Sequence, residues 1–127
     1  MIRGTESLTL FSEDARRLAG FYREIVGLPL TVEAEVGQNG EELFGFQMSE
    51  GSGLFVVDHS GVKGRSKEPE RIIFDLKVDD IEDLVKLLDG RGVRKIQDIY
   101  HVHRYGAIAT FEDPDGNYFQ LVQLQEA

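Results

Sequence analysis

The stretch that decides the fold is "SLTLFSEDARRLAGFYREIVG", Ser7 to Gly27, because its pattern returns 66 residues later as "IFDLKVDDIEDLVKLLDGRG", Ile73 to Gly92. Each stretch opens with alternating apolar and polar residues, as a strand with one buried face does. Each then continues with apolar residues at helical spacing, and Leu18 falls on Leu84 under the same offset. The chain is therefore predicted to contain an internal repeat of a strand followed by a helix.

Both helices have recognisable ends. The first is predicted over residues 13–26, with Ser12 as its N-cap and Gly27 closing it in a left-handed conformation. The second is predicted from about residue 80 to residue 88, with a capping box that begins at Asp79.

Three further strand-like runs follow each helix. In the first half they are "LTVEAEV", "ELFGFQM" and "GLFVVD". In the second half they are a weaker run from Val93 to Ile96, or reaching as far as Tyr105, then "AIATFE" and "YFQLVQ" around the turn "DPDG". The sequence thus predicts one α+β domain of two βαβββ modules, at about 5–58 and 71–125, joined by a linker at about 59–70.

One helix covers only one face of a four-stranded sheet, so the other face of each predicted sheet needs a partner. Two such sheets, side by side and curled, would enclose a groove between their second faces. Those faces mix polar and aromatic residues, which suits a ligand pocket. The residues concerned are Ser7, Thr9, Phe11, Asp75, Lys77, Tyr118 and Gln120.

Composition narrows the classes of partner. The apolar share of 41% and charged share of 29% are those of a soluble globular protein, and no apolar run reaches the roughly 20 residues of a bilayer span. The N-terminus lacks signal-peptide features, so we expect a cytoplasmic protein. A net charge of -9 disfavours nucleic acid and anionic membranes. The absence of Cys excludes disulfides, thiol nucleophiles and Cys-based zinc sites.

The segments "LTLFSEDARRLAGFYREIVGLPL" and "GAIATFEDPDGNYFQLVQ", in that order, resemble the vicinal oxygen chelate superfamily. That superfamily includes glyoxalase I, extradiol dioxygenases, fosfomycin resistance enzymes and bleomycin resistance proteins. The resemblance covers essentially the whole chain. It implies paired βαβββ modules in an open barrel and two chains per functional unit, so that a homodimer is expected.

In the metal-dependent members of that superfamily, four side chains, typically His and Glu, hold a divalent cation. The resemblance places these positions at Ser7, near Phe55, at Ile73 and at Gln120. None of the four supplies a negative charge or an imidazole. We therefore expect no metal and no other cofactor, as in the branch typified by bleomycin resistance proteins, which sequester a cationic antibiotic.

Several residues leave alternatives open. Gln120 either orients a ligand through its amide or hydrogen-bonds a neighbouring strand inside the groove. Asp75 and Lys77 either anchor the charges of a ligand or form a solvated pair at the cavity rim. On an extended strand His101, His103 and Tyr105 would share a face, so the two His residues are an alternative metal site. Their other interpretation is a pair at a loop edge, in contact with ligand.

The leading functional prediction is a metal-free protein that binds a small apolar or cationic molecule. Two alternatives remain: a metal-dependent lyase, isomerase or dioxygenase with a relocated metal, and a structural or regulatory partner that binds no ligand. No motif of a serine hydrolase, a P-loop or a dinucleotide-binding fold is present. The predicted ligand-binding residues are Ser7, Thr9, Phe11, Phe55, Ile73, Asp75, Lys77, His103, Tyr105, Tyr118 and Gln120.

Overall fold

Each half of the chain builds one four-stranded sheet and one helix. The computed structural model describes residues 1–126, which divide into a first unit, Met1–Gly64, and a second unit that starts at Arg65. The first unit contains β1 (Ser7–Ser12), α1 (Ala15–Gly20) with a π-helical continuation (Phe21–Val26), β2 (Leu30–Val36), β3 (Glu41–Phe46) and β4 (Gly53–Asp58). The second contains a 3₁₀ turn (Pro69–Arg71), β5 (Phe74–Lys77), α2 (Ile81–Gly90), β6 (Lys95–Val102), β7 (Gly106–Glu112) and β8 (Tyr118–Leu124).

The two sheets have the same strand order. The first runs β1-β4-β3-β2 and the second β5-β8-β7-β6. In each sheet the strand before the helix pairs in parallel with the last strand, and the other pairs are antiparallel. This mixed topology confirms the predicted α+β class with two βαβββ modules. Among residues 1–126, neither helix combines the length and the apolar character that a bilayer crossing requires.

Each helix buries its apolar stripe on one face of its own sheet. In the first unit Leu18 and Tyr22 are fully buried, and α1 packs against β3 and β4. In the second unit Leu88 is fully buried, and α2 packs against β6, β7 and β8. Each such side chain contributes about 1.5–3 kcal/mol through burial. The rings of Phe74 and Phe111 stack on either side of Phe119, with centroids 6.1 Å apart in both pairs.

The repeat extends to the helix caps, although not at the predicted residues. The N-cap of α1 is Asp14, whose Oδ1 accepts from the backbone N–H of Arg17 at 3.1 Å. The N-cap of α2 is Asp80, 66 residues later. The predicted caps Ser12 and Asp79 were wrong, because α1 begins at the residue after Asp14 and α2 at the residue after Asp80. Ser12 instead accepts from the N–H of Asp14 at 3.0 Å, ahead of the helix.

The predicted end of the first helix is confirmed, whereas the second helix is longer than predicted. Gly27 closes the first helix with a φ of 94°, as predicted. The second helix continues past residue 88 to Gly90, and Gly92 follows it in the left-handed region with a φ of 76°.

A side chain from the last strand of each unit holds the start of its helix. In the first unit Asp58 accepts from the N–H of Ala15 and the N–H of Glu42, both at 2.8 Å. In the second unit the side-chain oxygen of Gln123 accepts from the N–H of Ile81 at 2.9 Å. The bonds from Ala15 and Ile81 satisfy backbone donors that a helix terminus leaves without intrahelical partners, and the bond from Glu42 ties β3 to the same carboxylate.

The second half differs from prediction at the β6–β7 turn. The strand β6 ends at Val102, and His103, Arg104 and Tyr105 form the turn, with Arg104 in the left-handed region at a φ of 63°. The prediction that His101, His103 and Tyr105 share one strand face was therefore wrong.

The "DPDG" turn forms as predicted, because the N–H of Gly116 donates to the carbonyl of Asp113 at 3.0 Å. Part of the predicted linker packs on this turn. Arg65 donates to the carbonyl of Pro114 at 3.0 Å, and the N–H of Ser66 donates to that of Asp115 at 2.8 Å. The second unit accordingly begins inside the segment 59–70.

Replacing Asp58 by Ala should destabilise the protein by about 2 kcal/mol, because two part-buried N–H groups lose their acceptor. Gln123→Ala, which removes one such bond, should cost about half as much. Urea denaturation of both variants measures the difference. Equal stability of Asp58→Ala and the wild type would contradict the role given to this carboxylate.

Candidate functional site

The face of each sheet opposite its helix, here called the helix-free face, carries most of the predicted site residues. Strand register puts Ser7, Thr9, Phe11, Val32, Leu43, Gly45, Phe55 and Val57 on that face of the first unit. In the second unit it carries Asp75, Lys77, Thr110, Glu112, Tyr118, Gln120 and Val122, with Ile73 just before β5. His103 and Tyr105 lie in the β6–β7 turn instead. The first face is mainly apolar, whereas the second combines charged and polar side chains with apolar ones such as Val122 and its partner Ile108.

Phe55 lies across the first helix-free face and covers Gly45, its partner on the neighbouring strand. A Cβ added at Gly45 would lie 2.8 Å from Cε1 of Phe55 and 3.1 Å from Cβ of Val32. Only a residue without a side chain leaves room for the ring there. Gly45 was missed in the sequence, although an isolated glycine inside a strand pattern is a signal of close approach.

Strand register also fixes which residues of the two units are equivalent. Thr9 pairs with Phe55 in the first unit, and Asp75, 66 residues after Thr9, pairs with Gln120 in the second. Phe55 therefore occupies the position in its sheet that Gln120 occupies in the other.

At the end of β1, Phe11 meets His59. Phe11 is 48% exposed, and the two rings make an edge contact with centroids 5.2 Å apart. Nδ1 of His59 accepts from the N–H of Gly61 at 2.9 Å, which fixes the orientation of the imidazole. About half of the Phe11 residue is thus accessible on the face that also carries Thr9 and Phe55.

A row of polar side chains crosses the second helix-free face. Asp75 on β5 pairs with Gln120 on β8, and Gln120 pairs with Thr110 on β7. The amide nitrogen of Gln120 donates to Oγ1 of the buried Thr110 at 3.1 Å, so this hydroxyl holds the amide in place. Thr110 was missed in the sequence, although residues equidistant from the loop "DPDGN", residues 113–117, are expected to pair.

Asp75 lies beside this amide, and within residues 1–126 its carboxyl group forms no ion pair. Asp75 as a whole residue is exposed, but its carboxyl group is partly withdrawn from water. This partial burial raises the pKa of the carboxyl above its ordinary value and is the one cause of that shift. Lys77 lies two residues along the same strand but does not counteract the shift. Lys77 has a contact of its own.

Glu112 is a buried carboxylate on the same face, and it is neutralised. Its side chain is 7% exposed and contacts the guanidinium groups of Arg65 and Arg94, the latter at 3.0 Å. Both arginines come from segments outside the strands, so sequence periodicity gave no sign of them. This arrangement ties the start of the second unit and the residue before β6 to the end of β7.

A family model described as the Glyoxalase/Bleomycin resistance protein/Dioxygenase superfamily matches residues 5–121. The chain belongs to this superfamily. The match confirms the resemblance found in the sequence. No curated protein matches this member of the superfamily in a sequence search.

Solved structures share the fold of this superfamily member over nearly its whole length. TnmS3, an antibiotic binding protein from Streptomyces sp. CB03234, is 24% identical, with 98% of both chains covered and a TM-score of 0.76. A superfamily domain from Frankia sp. EAN1pec is 17% identical, with 98% of this chain and 100% of the Frankia chain covered and a TM-score of 0.78. The fosfomycin resistance protein FosX from Listeria monocytogenes is 16% identical, with 98% of this chain and 96% of the FosX chain covered and a TM-score of 0.69.

The four positions at which metal-dependent members of the superfamily hold a cation do not fit a metal here. Ile73 and Phe55 offer no donor atom, and Ser7 offers a neutral hydroxyl. The amide nitrogen of Gln120 is committed to Thr110. Neutral oxygens without a carboxylate or imidazole beside them hold a divalent cation poorly. Within residues 1–126, no three His, Cys, Asp or Glu side chains are grouped as a metal site would require, and this includes His101 and His103.

Gly45→Ala should destabilise the first unit by about 1–3 kcal/mol, because the added methyl group displaces the Phe55 ring. Gly20→Ala is a matched control: it adds the same group in a helix where nothing lies within 4 Å. This control should stabilise the protein by about 0.5–1 kcal/mol. Thermal and urea denaturation of both variants test the contrast, and a neutral Gly45→Ala would show that Phe55 does not depend on Gly45.

Asp75→Asn should raise the melting temperature at about pH 7, with a gain that shrinks as the pH falls toward about 4. The folded chain binds a proton at Asp75 more tightly than the unfolded chain, since the pKa is raised. The wild type therefore loses stability as the pH rises from the pKa of Asp75 in the unfolded chain to its raised pKa in the folded chain. The Asn variant does not titrate there, so it does not lose this stability. Scanning fluorimetry across this range measures it. A gain that does not vary with pH would be inconsistent with the raised pKa.

Proposed function

We propose that this protein is a metal-free, small-molecule binding protein that sequesters an apolar or cationic compound such as an antibiotic. The observation that carries the proposal is the chemistry of the four superfamily metal positions, where Ser7, Phe55, Ile73 and Gln120 replace charged and imidazole ligands. Residues of this kind contact an organic molecule better than they hold a cation.

The helix-free face of the first unit supplies apolar contact area. The Phe55 ring fills the space beside Gly45, and Phe11 presents a half-exposed ring on the same face. Aromatic side chains contribute large contact areas and favour offset or edge-on contacts with other rings. A ligand with an aromatic or aliphatic portion would bind on this surface.

The helix-free face of the second unit supplies orienting polar groups. Gln120 is fixed by Thr110, and Tyr118 stands two residues before it on the same strand. A few well-placed polar groups determine the orientation of a bound molecule. The net charge of -9 favours a cationic compound over an anionic one.

Relatives of known structure support the class of ligand. TnmS3 is described as antibiotic binding and FosX as a fosfomycin resistance protein. We extend the first of these descriptions, binding of an antibiotic, to this chain. A cytoplasmic homodimer stays the expected form of the protein.

A second candidate function is catalysis of a proton transfer, and Asp75 is the observation that favours it. A carboxyl group whose pKa is raised by burial is a stronger proton acceptor than an ordinary carboxylate, as a general base requires. Turnover of a bound compound that is lost in Asp75→Asn would favour this candidate over simple sequestration.

Native mass spectrometry tests the leading proposal. The protein is incubated with zinc, nickel, manganese or ferrous ions, and separately with a panel of cationic and neutral antibiotics. We expect no increase in mass from a bound metal ion. We also expect at least one antibiotic of the panel to be retained, with one molecule bound per chain. For that antibiotic, Phe55→Ala should weaken binding about tenfold by removing the ring.

Leu87→Ala serves as the control for that variant, because Leu87 is an exposed apolar residue on α2 and lies on neither helix-free face. Its affinity should match that of the wild type. One bound metal ion per chain, or the absence of any retained compound, would refute the proposal.

A further inference from the structure

Three charged side chains lie on the helix-free face of the second unit, and two of them are engaged. Glu112 contacts two guanidinium groups, and Lys77 has a contact of its own. Asp75 differs from both: within residues 1–126, its carboxylate takes part in no hydrogen bond and no ion pair. Asp75 is therefore the carboxylate of this face that is left to a ligand, whereas Glu112 is already paired.

The neighbour of Asp75 adds a second acceptor. Gln120 lies opposite Asp75 on the adjacent strand, and such neighbours stand about 5 Å apart on the same face. Because the nitrogen of the amide donates to Thr110, its oxygen is left as an acceptor. A carboxylate and an amide oxygen side by side match a group with several N–H donors and repel an anion.

This arrangement is costly for the protein alone. A carboxylate that is partly withdrawn from water without a partner destabilises the folded state. Its neighbours on the adjacent strand provide no compensation, since β8 presents Tyr118, Gln120 and Val122 on this face and none of them is cationic. A bound cation would restore the lost solvation with a charge-assisted hydrogen bond.

We infer that Asp75 determines the charge selectivity of the site: it accepts an N–H of a protonated amine or amidine on the ligand, while Oε1 of Gln120 accepts another. This inference rests on the proposed function and names the ligand group that the second unit recognises. Asp75 is thereby a specificity-determining residue, and Thr110 positions Gln120.

Three probes that share one ring and differ in charge test the inference: naphthylmethylammonium, naphthylmethanol and naphthoate. Binding to the full-length protein is followed by amide chemical shifts. The wild type should bind the ammonium most tightly and the carboxylate least. Asp75→Asn should lower the affinity for the ammonium about tenfold, to the level of the alcohol, and leave the alcohol unchanged.

Asp79→Asn is the matched control, because it removes the same charge from an exposed bend just after β5. It should keep the wild-type preference. An ammonium preference that survives in Asp75→Asn, or that disappears equally in Asp79→Asn, would overturn the inference.

The outcome for the wild type separates this inference from the proposed function. Wild-type protein that retains an antibiotic yet binds the three probes equally, or binds none of them, overturns the inference alone. If no antibiotic is retained in the earlier screen, the proposed function itself fails.

Discussion

A single short helix covers one face of a four-stranded sheet and leaves the other face without a helix. Both units obey this constraint, and the rest of the molecule follows from it. The helix side is packed with residues such as Leu18, Phe111 and Phe119, which are fully buried. The opposite side is released from the demands of a helix core, so it tolerates Asp75, Gln120 and Thr110 in one row. Because the helix covers only one face of each sheet, two sheets of the same topology can carry different side chains on their opposite faces.

Much of this fold was predictable from the sequence, because the 66-residue repeat and the alternating strands report burial directly. The strand bounds of β2 and β4 and the "DPDG" turn agree with the prediction. The caps were misplaced by two residues for α1 and one for α2, because adjacent Asp and Ser residues are all competent caps and only backbone geometry selects one. The length of β6 was also beyond prediction, since most of that strand is exposed and lacks an apolar pattern.

The candidate site was predictable in part. Alternation placed Ser7, Thr9, Asp75, Tyr118 and Gln120 on their faces, since the strand period is two. It said nothing of how Phe55 lies over Gly45, because that depends on a neighbouring strand. Nor did it reveal the pairing of Arg65 and Arg94 with Glu112, which joins segments far apart in sequence. Whether a charge on a sheet face is matched or unmatched is a tertiary property, and it distinguishes Glu112 from Asp75.

The contact between Arg65 and the β7–β8 turn bears on where the chain could be divided. The repeat in the sequence suggests a second module that starts near residue 71. A fragment cut there would lose Arg65 and leave the buried Glu112 with one guanidinium group instead of two. It would also remove the backbone bond between Ser66 and Asp115. Any gene fusion, truncation or ancestral half-length protein built on this unit therefore has to include the chain from Arg65 onward, so the structural border lies upstream of the border that the repeat suggests.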